Sequence, residues 1–179
     1  MDTGLLILRV VVGLLLVGHG SQKLFGWFGG HGLEGVGGFL QGNLRFRRGK
    51  PMAAIAGMTE VASGLLLAFG LLTPLAGAGL IGVMIVAAWT VHRRNGLWVM
   101  NDGYEYPLVI AVIGASLAFT GAGSVSLDSA FDLDLAGAGW GTAAVAAGLV
   151  TGLVTLTAGR TQAGAPTANT TTEQVPAPA

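Results

Sequence analysis

Gly4-Leu5-Leu6-Ile7-Leu8-Arg9-Val10-Val11-Val12-Gly13-Leu14-Leu15-Leu16-Val17-Gly18-His19-Gly20-Ser21-Gln22-Lys23-Leu24-Phe25 decides the fold. A helix needs about 20 predominantly apolar residues to cross a bilayer core, and this run supplies them, interrupted by Arg9, His19, Gln22 and Lys23. Working outward, Met52–Leu72 reads as a second span with one internal charge, Glu60. Thr73-Pro74 makes a tight turn, and Pro74 suits the first turn of a third span, Leu75–Val91, where its missing N–H is not needed. Tyr106–Thr120, entered through the turn-rich Asn101-Asp102-Gly103, reads as a short fourth span. Composition agrees: 52% of the 179 residues are apolar and only 10% charged, with a mean hydropathy of +0.68. A soluble domain carries roughly a quarter charged residues to cover its surface. The expectation is an all-α integral membrane four-helix bundle over residues 1–134, with a fifth C-terminal span.

That fifth span, Leu135–Thr157 within a segment 135–158, is long enough but rich in Ala, Gly and Thr, so it is only marginally apolar. Ser124–Asp134, with three aspartates, reads as a loop before it. Residues 159–179 hold Thr, Ala, Pro and Gln without an apolar period and are expected to be a disordered tail. Zero formal net charge gives no case for nucleic-acid binding. The absence of cysteine excludes disulfides, thiolate metal sites and any dithiol relay in this chain. No basic leader precedes the first apolar run and no small-residue cleavage pattern follows it, so the run is expected to stay in the mature protein. Arg45, Arg47, Arg48 and Lys50 lie between the first two spans, and Arg93 and Arg94 between the third and fourth. Basic loops stay inside, which places the N-terminus outside a cell membrane and these loops in the cytoplasm.

Ionisable residues within spans are costly and usually face a bundle interior, a partner or water. His19 and Lys23 are four apart and share a helix face; Arg9 and Leu16 extend that stripe, with Gly13 and Gly20 beside it. Gly57, Glu60 and Gly64 lie along one face of the second span, a carboxylate among small residues that reads as an interhelical contact. At 1.5 Å per residue, Glu60 lies roughly 12 Å and His19 roughly 9 Å from the cytoplasmic ends of their spans. Lys23, His92 and Glu105 fall nearer that mouth, with Trp98 and Tyr104 around them. Glu60 is too deep and too short to reach water, so it is expected to be paired or protonated. Taken singly, the others have plainer roles: Lys23, His92 and Glu105 as interfacial helix ends, Arg9 reaching the outer interface, Trp89, Trp98, Tyr104 and Tyr106 as an aromatic belt.

Gly30-His31-Gly32-Leu33-Glu34-Gly35 formally matches a dinucleotide-binding pattern, but no strand precedes it and no βαβ unit surrounds it. It reads instead as a re-entrant or interfacial cap over the basic end, aided by Phe39, Leu40 and Phe46. His19, Glu60, His92 and Glu105 include no pair at ligand spacing, so no metal site is expected.

The segment Gly18-His19-Gly20-Ser21-Gln22-Lys23-Leu24-Phe25-Gly26-Trp27-Phe28-Gly29-Gly30 closely resembles the first-helix signature of the DoxX family. Met58-Thr59-Glu60, Gly64-Leu65-Leu66-Leu67 and Gly70-Leu71-Leu72-Thr73-Pro74-Leu75 are similar to its second helix and turn. Thr90-Val91-His92, Asn95-Gly96 and Gly103-Tyr104-Glu105-Tyr106 fit the same pattern, so the resemblance covers roughly residues 4–134. It implies a four-helix membrane protein of a family generally described as oxidoreductases or subunits of redox complexes, and it leaves open whether this chain is itself catalytic.

The resulting expectation is a redox-associated, quinone-linked membrane subunit binding a quinone-like or other amphipathic molecule at the cytoplasmic end. His19, Gln22, Lys23, Glu60, His92, Trp98, Tyr104 and Glu105 are the candidate ligand-binding residues. His19 and Glu60 would bond or exchange protons with the head group, Lys23, His92 and Glu105 would set the field, and Trp98 and Tyr104 would pack on the ring. The alternative is a non-enzymatic scaffold or assembly subunit whose polar cluster only fixes helix register, docking redox-protein partners or further copies of itself through Gly-lined faces. A cavity lined by His19 and Glu60 would mark a site; direct pairing with no room between the side chains would mark a scaffold.

Overall fold

The computed structural model describes residues 2–160. Five long helices cross or nearly cross the apolar layer: α1 (Asp2–Phe25), α3 (Gly49–Phe69), α4 (Thr73–Ala87), α5 (Glu105–Thr120) and α7 (Ala138–Ala158). Two shorter ones lie between them, α2 (Gly32–Gly42) and the single turn α6 (Leu127–Ala130). Among the described residues there is no strand beyond one isolated bridge between Phe46 and Arg160. α4 runs on through a π-turn, Ala88–His92, and a 3₁₀ turn, Arg93–Asn95, so that Thr73–Asn95 is one continuous apolar rod. Among the described residues, four helices are long and apolar enough to span a bilayer, α1, α3, extended α4 and α7. The marginal composition of the C-terminal run thus yields a full-length helix. It is α5, at 16 residues, that is short, reaching only about 24 Å against a core of about 30 Å.

Small residues set the packing order. In α1, Gly13 lies against the Gly64 carbonyl of α3, and Gly20 so close to Gly57 that an added Cβ would sit 2.6 Å from the Gly57 carbonyl oxygen. The two glycine-lined faces read from the sequence therefore meet each other, which is how helices approach closely in lipid. α4 packs on α5 through Gly77 and Gly114 and on α7 through Gly82, Gly148 and Gly152. A leucine at Gly20 or Gly148 has no room. Each should lower the thermal midpoint in detergent and the monodisperse yield, by about 2 kcal/mol or more, the range for overpacking. Leucine at Gly18, which faces open space, is the control and should change neither.

Polar residues separate to the two ends. Of the nine basic residues, all but Arg9 lie at the end formed by the α1 C-terminus, α2, the start of α3, the α4–α5 loop and the α7 C-terminus. At this basic end the chain after α2 meets the end of α7: Arg47 N–H donates to Gly159 O, and Arg160 Nε donates to Leu44 O. Gly159 and Arg160 are therefore ordered, although the sequence places them in the tail; their backbone is held by residues more than a hundred positions away. The rest of that tail, 161–179, lies outside the described residues.

At the opposite end Arg9 does not reach outward as expected. It is 1% exposed and donates to the carbonyls of Leu67, Ala68 and Val125. The carbonyls of the last turn of α3 have no partner within their own helix, and a guanidinium both bonds them and complements the negative helix end. Gly70 makes this possible: it has φ 63°, and a Cβ there would sit 2.5 Å from an Arg9 nitrogen. Asp128, from α6, accepts from Leu72 N–H at 2.7 Å and from the Thr73 amide and hydroxyl at 3.2 and 2.7 Å. It thereby caps the start of α4. The loop read at Ser124–Asp134 is thus anchored to the bundle through the buried Asp128, while most of its other residues stay exposed.

Candidate functional site

An apolar slot of about 670 Å³ runs along α4 between α3 and α7. Its α4 wall extends from Leu75 to Val91, about 24 Å at the helical rise. α3 contributes Thr59, Glu60 and Ser63 among aliphatic neighbours, and α7 contributes Ala147, Thr151 and Thr155, one per turn. Both helices pack on α4 with no substantial contact between them, so the gap is a consequence of bundle geometry. The slot's wall at the basic end is α2 and the loop after it, through Val36, Phe39, Leu40 and Phe46. The Gly-rich segment is thus a short helix laid over the slot, held by Gly37 and Gly49, whose backbones touch, and by an ion pair from Lys50 Nζ to Glu34 at 2.5 Å.

The slot has one charged feature. Glu60, 3% exposed, receives the Lys23 ammonium at 2.6 Å. A carboxylate at this depth requires such a partner, and Lys23 reaches it because α1 and α3 are drawn together at Gly20 and Gly57. Three residues further along α3, Ser63 is 4% exposed and lines the slot beside Gly79, and its hydroxyl makes no hydrogen bond among the described residues. The Thr59, Thr90, Thr151 and Thr155 hydroxyls bond carbonyls of their own helices. The slot thus offers an ion pair and one free hydroxyl on an otherwise apolar wall.

Of the eight residues singled out in the sequence, Lys23 and Glu60 line this slot. His19 does not line it; its ring is 5.6 Å from that of Tyr106, and it makes no hydrogen bond to Glu60. Gln22 donates to Phe28 O at 3.2 Å, fixing the reversal that leads into α2. His92, Trp98, Tyr104 and Glu105 form a separate group in the α4–α5 loop. There His92 Nδ1 and Asn95 Nδ2 share Asp102 O, at 2.6 and 3.3 Å, and Glu105 accepts from Val99 N–H at 2.9 Å. Tyr104 is half-buried with its N–H on Gly96 O, and Trp98 projects outward. Trp89, expected in the belt, lies under the Arg93 guanidinium at 4.5 Å. Among the described residues no three His, Asp or Glu side chains come close enough to hold a metal ion.

Ser63, Thr151 and Thr155 went unremarked in the sequence. The signal for Ser63 was there, three residues after Glu60 on the same face; nothing in the sequence points α7 at the slot.

The slot thus has both features set against each other above, room for a molecule and a directly paired carboxylate, but its room is lined by Lys23 in place of His19.

Two proteins of Haemophilus influenzae, both described as uncharacterized, are similar to this chain. One is 28% identical over 134 residues, covering 71% of this chain and 90% of its own length. The other is 35% identical over 71 residues, covering 40% of this chain and 47% of its own length. No solved structure matches. The DoxX family model matches residues 4–93, from α1 through the π-turn of α4, and the chain belongs to the DoxX family.

Proposed function

We propose that this protein is a redox-associated membrane subunit that binds a quinone-like or similar amphipathic molecule in the slot, with its head group at Lys23 and Glu60. The observation that carries the reading is an apolar cavity of about 670 Å³ whose one charged feature, among the described residues, is the partly buried Lys23–Glu60 ion pair. That size suits a small-molecule site, as does an apolar wall with a few polar groups to fix orientation. Lys23 donates to a head-group oxygen, Glu60 accepts from a hydroxyl or takes up its proton, and the free Ser63 hydroxyl supplies a further bond. His19 and Tyr106 stand behind the pair as a second layer. The His92–Glu105 loop organises the basic end without contributing to the head-group site. The basic end lies in the cytoplasm, by the excess of Lys and Arg there.

Glu60→Gln keeps the shape of the side chain and removes its charge. In protein purified in native lipid, it should lower the amount of co-purified amphiphile, read by mass spectrometry of the extract, by about tenfold, the loss expected for one charge-assisted hydrogen bond. An unchanged extract from a normally folded variant sinks the reading.

The Lys23–Glu60 distance of 2.6 Å favours a second reading, a scaffold whose ion pair fixes the register of α1 on α3. Purification that retains only bulk phospholipid, with no quinone and no redox partner, would select it.

A further inference from the structure

The slot is walled at the end where a water-soluble molecule would arrive. Phe46 is 2% exposed and lies over the slot with Val36, Phe39 and Leu40. Its loop is pinned to the end of α7 on both sides, by Arg47 N–H to Gly159 O and by Arg160 Nε to Leu44 O. At membrane depth the reverse holds. The rims there are Ile55 on α3, Leu75 on α4, and Ala147 and Thr151 on α7, all exposed side chains that face lipid. We infer that the slot is entered sideways from the bilayer through the gap between α3 and α7, and that its ligand is therefore a membrane-dissolved, single-chain amphiphile.

The inference rests on the proposed site and narrows its ligand class. The α4 wall of about 24 Å is longer than one leaflet of a core of about 30 Å. A chain lying in the slot therefore passes the bilayer midplane, with its head held at Lys23, Glu60 and Ser63. α7 lies wholly outside the residues matched by the family model. The wall that turns the face of α3 and α4 into a slot is thus supplied by a part of the chain that the family match does not reach, and Ala147 and Thr151 become the residues that set what fits.

The natural absence of cysteine makes the route measurable without knowing the ligand. The full chain carrying Ser63→Cys, and separately Thr59→Cys in case the first does not fold, is placed in phospholipid vesicles. It is treated with a lipid-soluble benzyl methanethiosulfonate or with a cationic trimethylammonium-ethyl methanethiosulfonate present on both sides. The benzyl reagent should react faster by roughly 100-fold, the factor that disfavours a charged group at bilayer depth. Adding Ala147→Trp at the rim should slow the benzyl reagent severalfold, whereas Val150→Trp, on the lipid-facing side of α7, should not. Adding Phe46→Ala should admit the cationic reagent. Comparable rates for the two reagents, or no labelling by either in both folded cysteine variants, overturn the inference. Because labelling needs no bound ligand, a sideways route with no ligand retained removes the binding site alone. A retained ligand with rapid cationic labelling removes the route alone.

Discussion

Lys23→Met is expected to destabilise the protein by about 2–3 kcal/mol, below the range for a fully buried pair because Lys23 is partly exposed. The cause is not the lost attraction itself. Glu60 sits in the middle of α3 with apolar residues around it and, among the described residues, no cation besides Lys23 bonded to its carboxylate. Removing the ammonium leaves a carboxylate that must either stay charged in a medium of low dielectric constant or take up a proton. The double variant Lys23→Met/Glu60→Leu should recover most of the loss, since replacing both members of a buried pair by apolar groups is often neutral or favourable. Thermal unfolding in detergent of the two single variants and the double variant forms the cycle. If the single effects simply add, the pair contributes no coupling and the 2.6 Å contact does not hold α1 to α3. Retention of amphiphile measured on the same samples separates stability from binding: the double variant should be stable and empty.

The second large effect is expected at the opposite end. Asp128→Ala should cost about 3 kcal/mol. It removes a helix cap, leaves the Leu72 amide and the buried Thr73 amide and hydroxyl without an acceptor, and deprives the buried Arg9 of its nearby negative charge. Asp128→Asn keeps an acceptor and should cost less than half as much. Thr73→Ala removes one of the three bonds and should cost about 1 kcal/mol. Thermal midpoints of the three variants test that ranking, and equal, small losses would show that the acidic end is held by Arg9 alone. Neither Asp128 substitution should alter labelling of a cysteine at Ser63, because the cap lies at the far end of the slot from the ion pair.

The amino-acid sequence alone determined the class of structure. Apolar runs of bilayer length, separated by turns at Thr73-Pro74 and Asn101-Asp102-Gly103, admit little besides a helical membrane bundle. It also determined that Glu60 must be paired or protonated and that Gly57 and Gly64 share its face, because helical period and the cost of a charge in lipid are local properties. It named Lys23 as a member of the polar stripe, but not which member would bond Glu60. His19 lies at a depth similar to Glu60 along the sequence, yet the glycine contacts between α1 and α3 turn it toward Tyr106 and bring the longer lysine to the carboxylate. Arg9 was read as reaching the interface because its acceptors, the carbonyls of residues 67, 68 and 125, come from two distant segments. Phe46 and Arg160 meet for the same kind of reason, and Thr151 and Ser63 come to line one slot from helices with no substantial contact between them. Depth and face follow from rise and period along one helix. Pairing, closure and the slot itself depend on how several helices cross, and only the tertiary structure decided them.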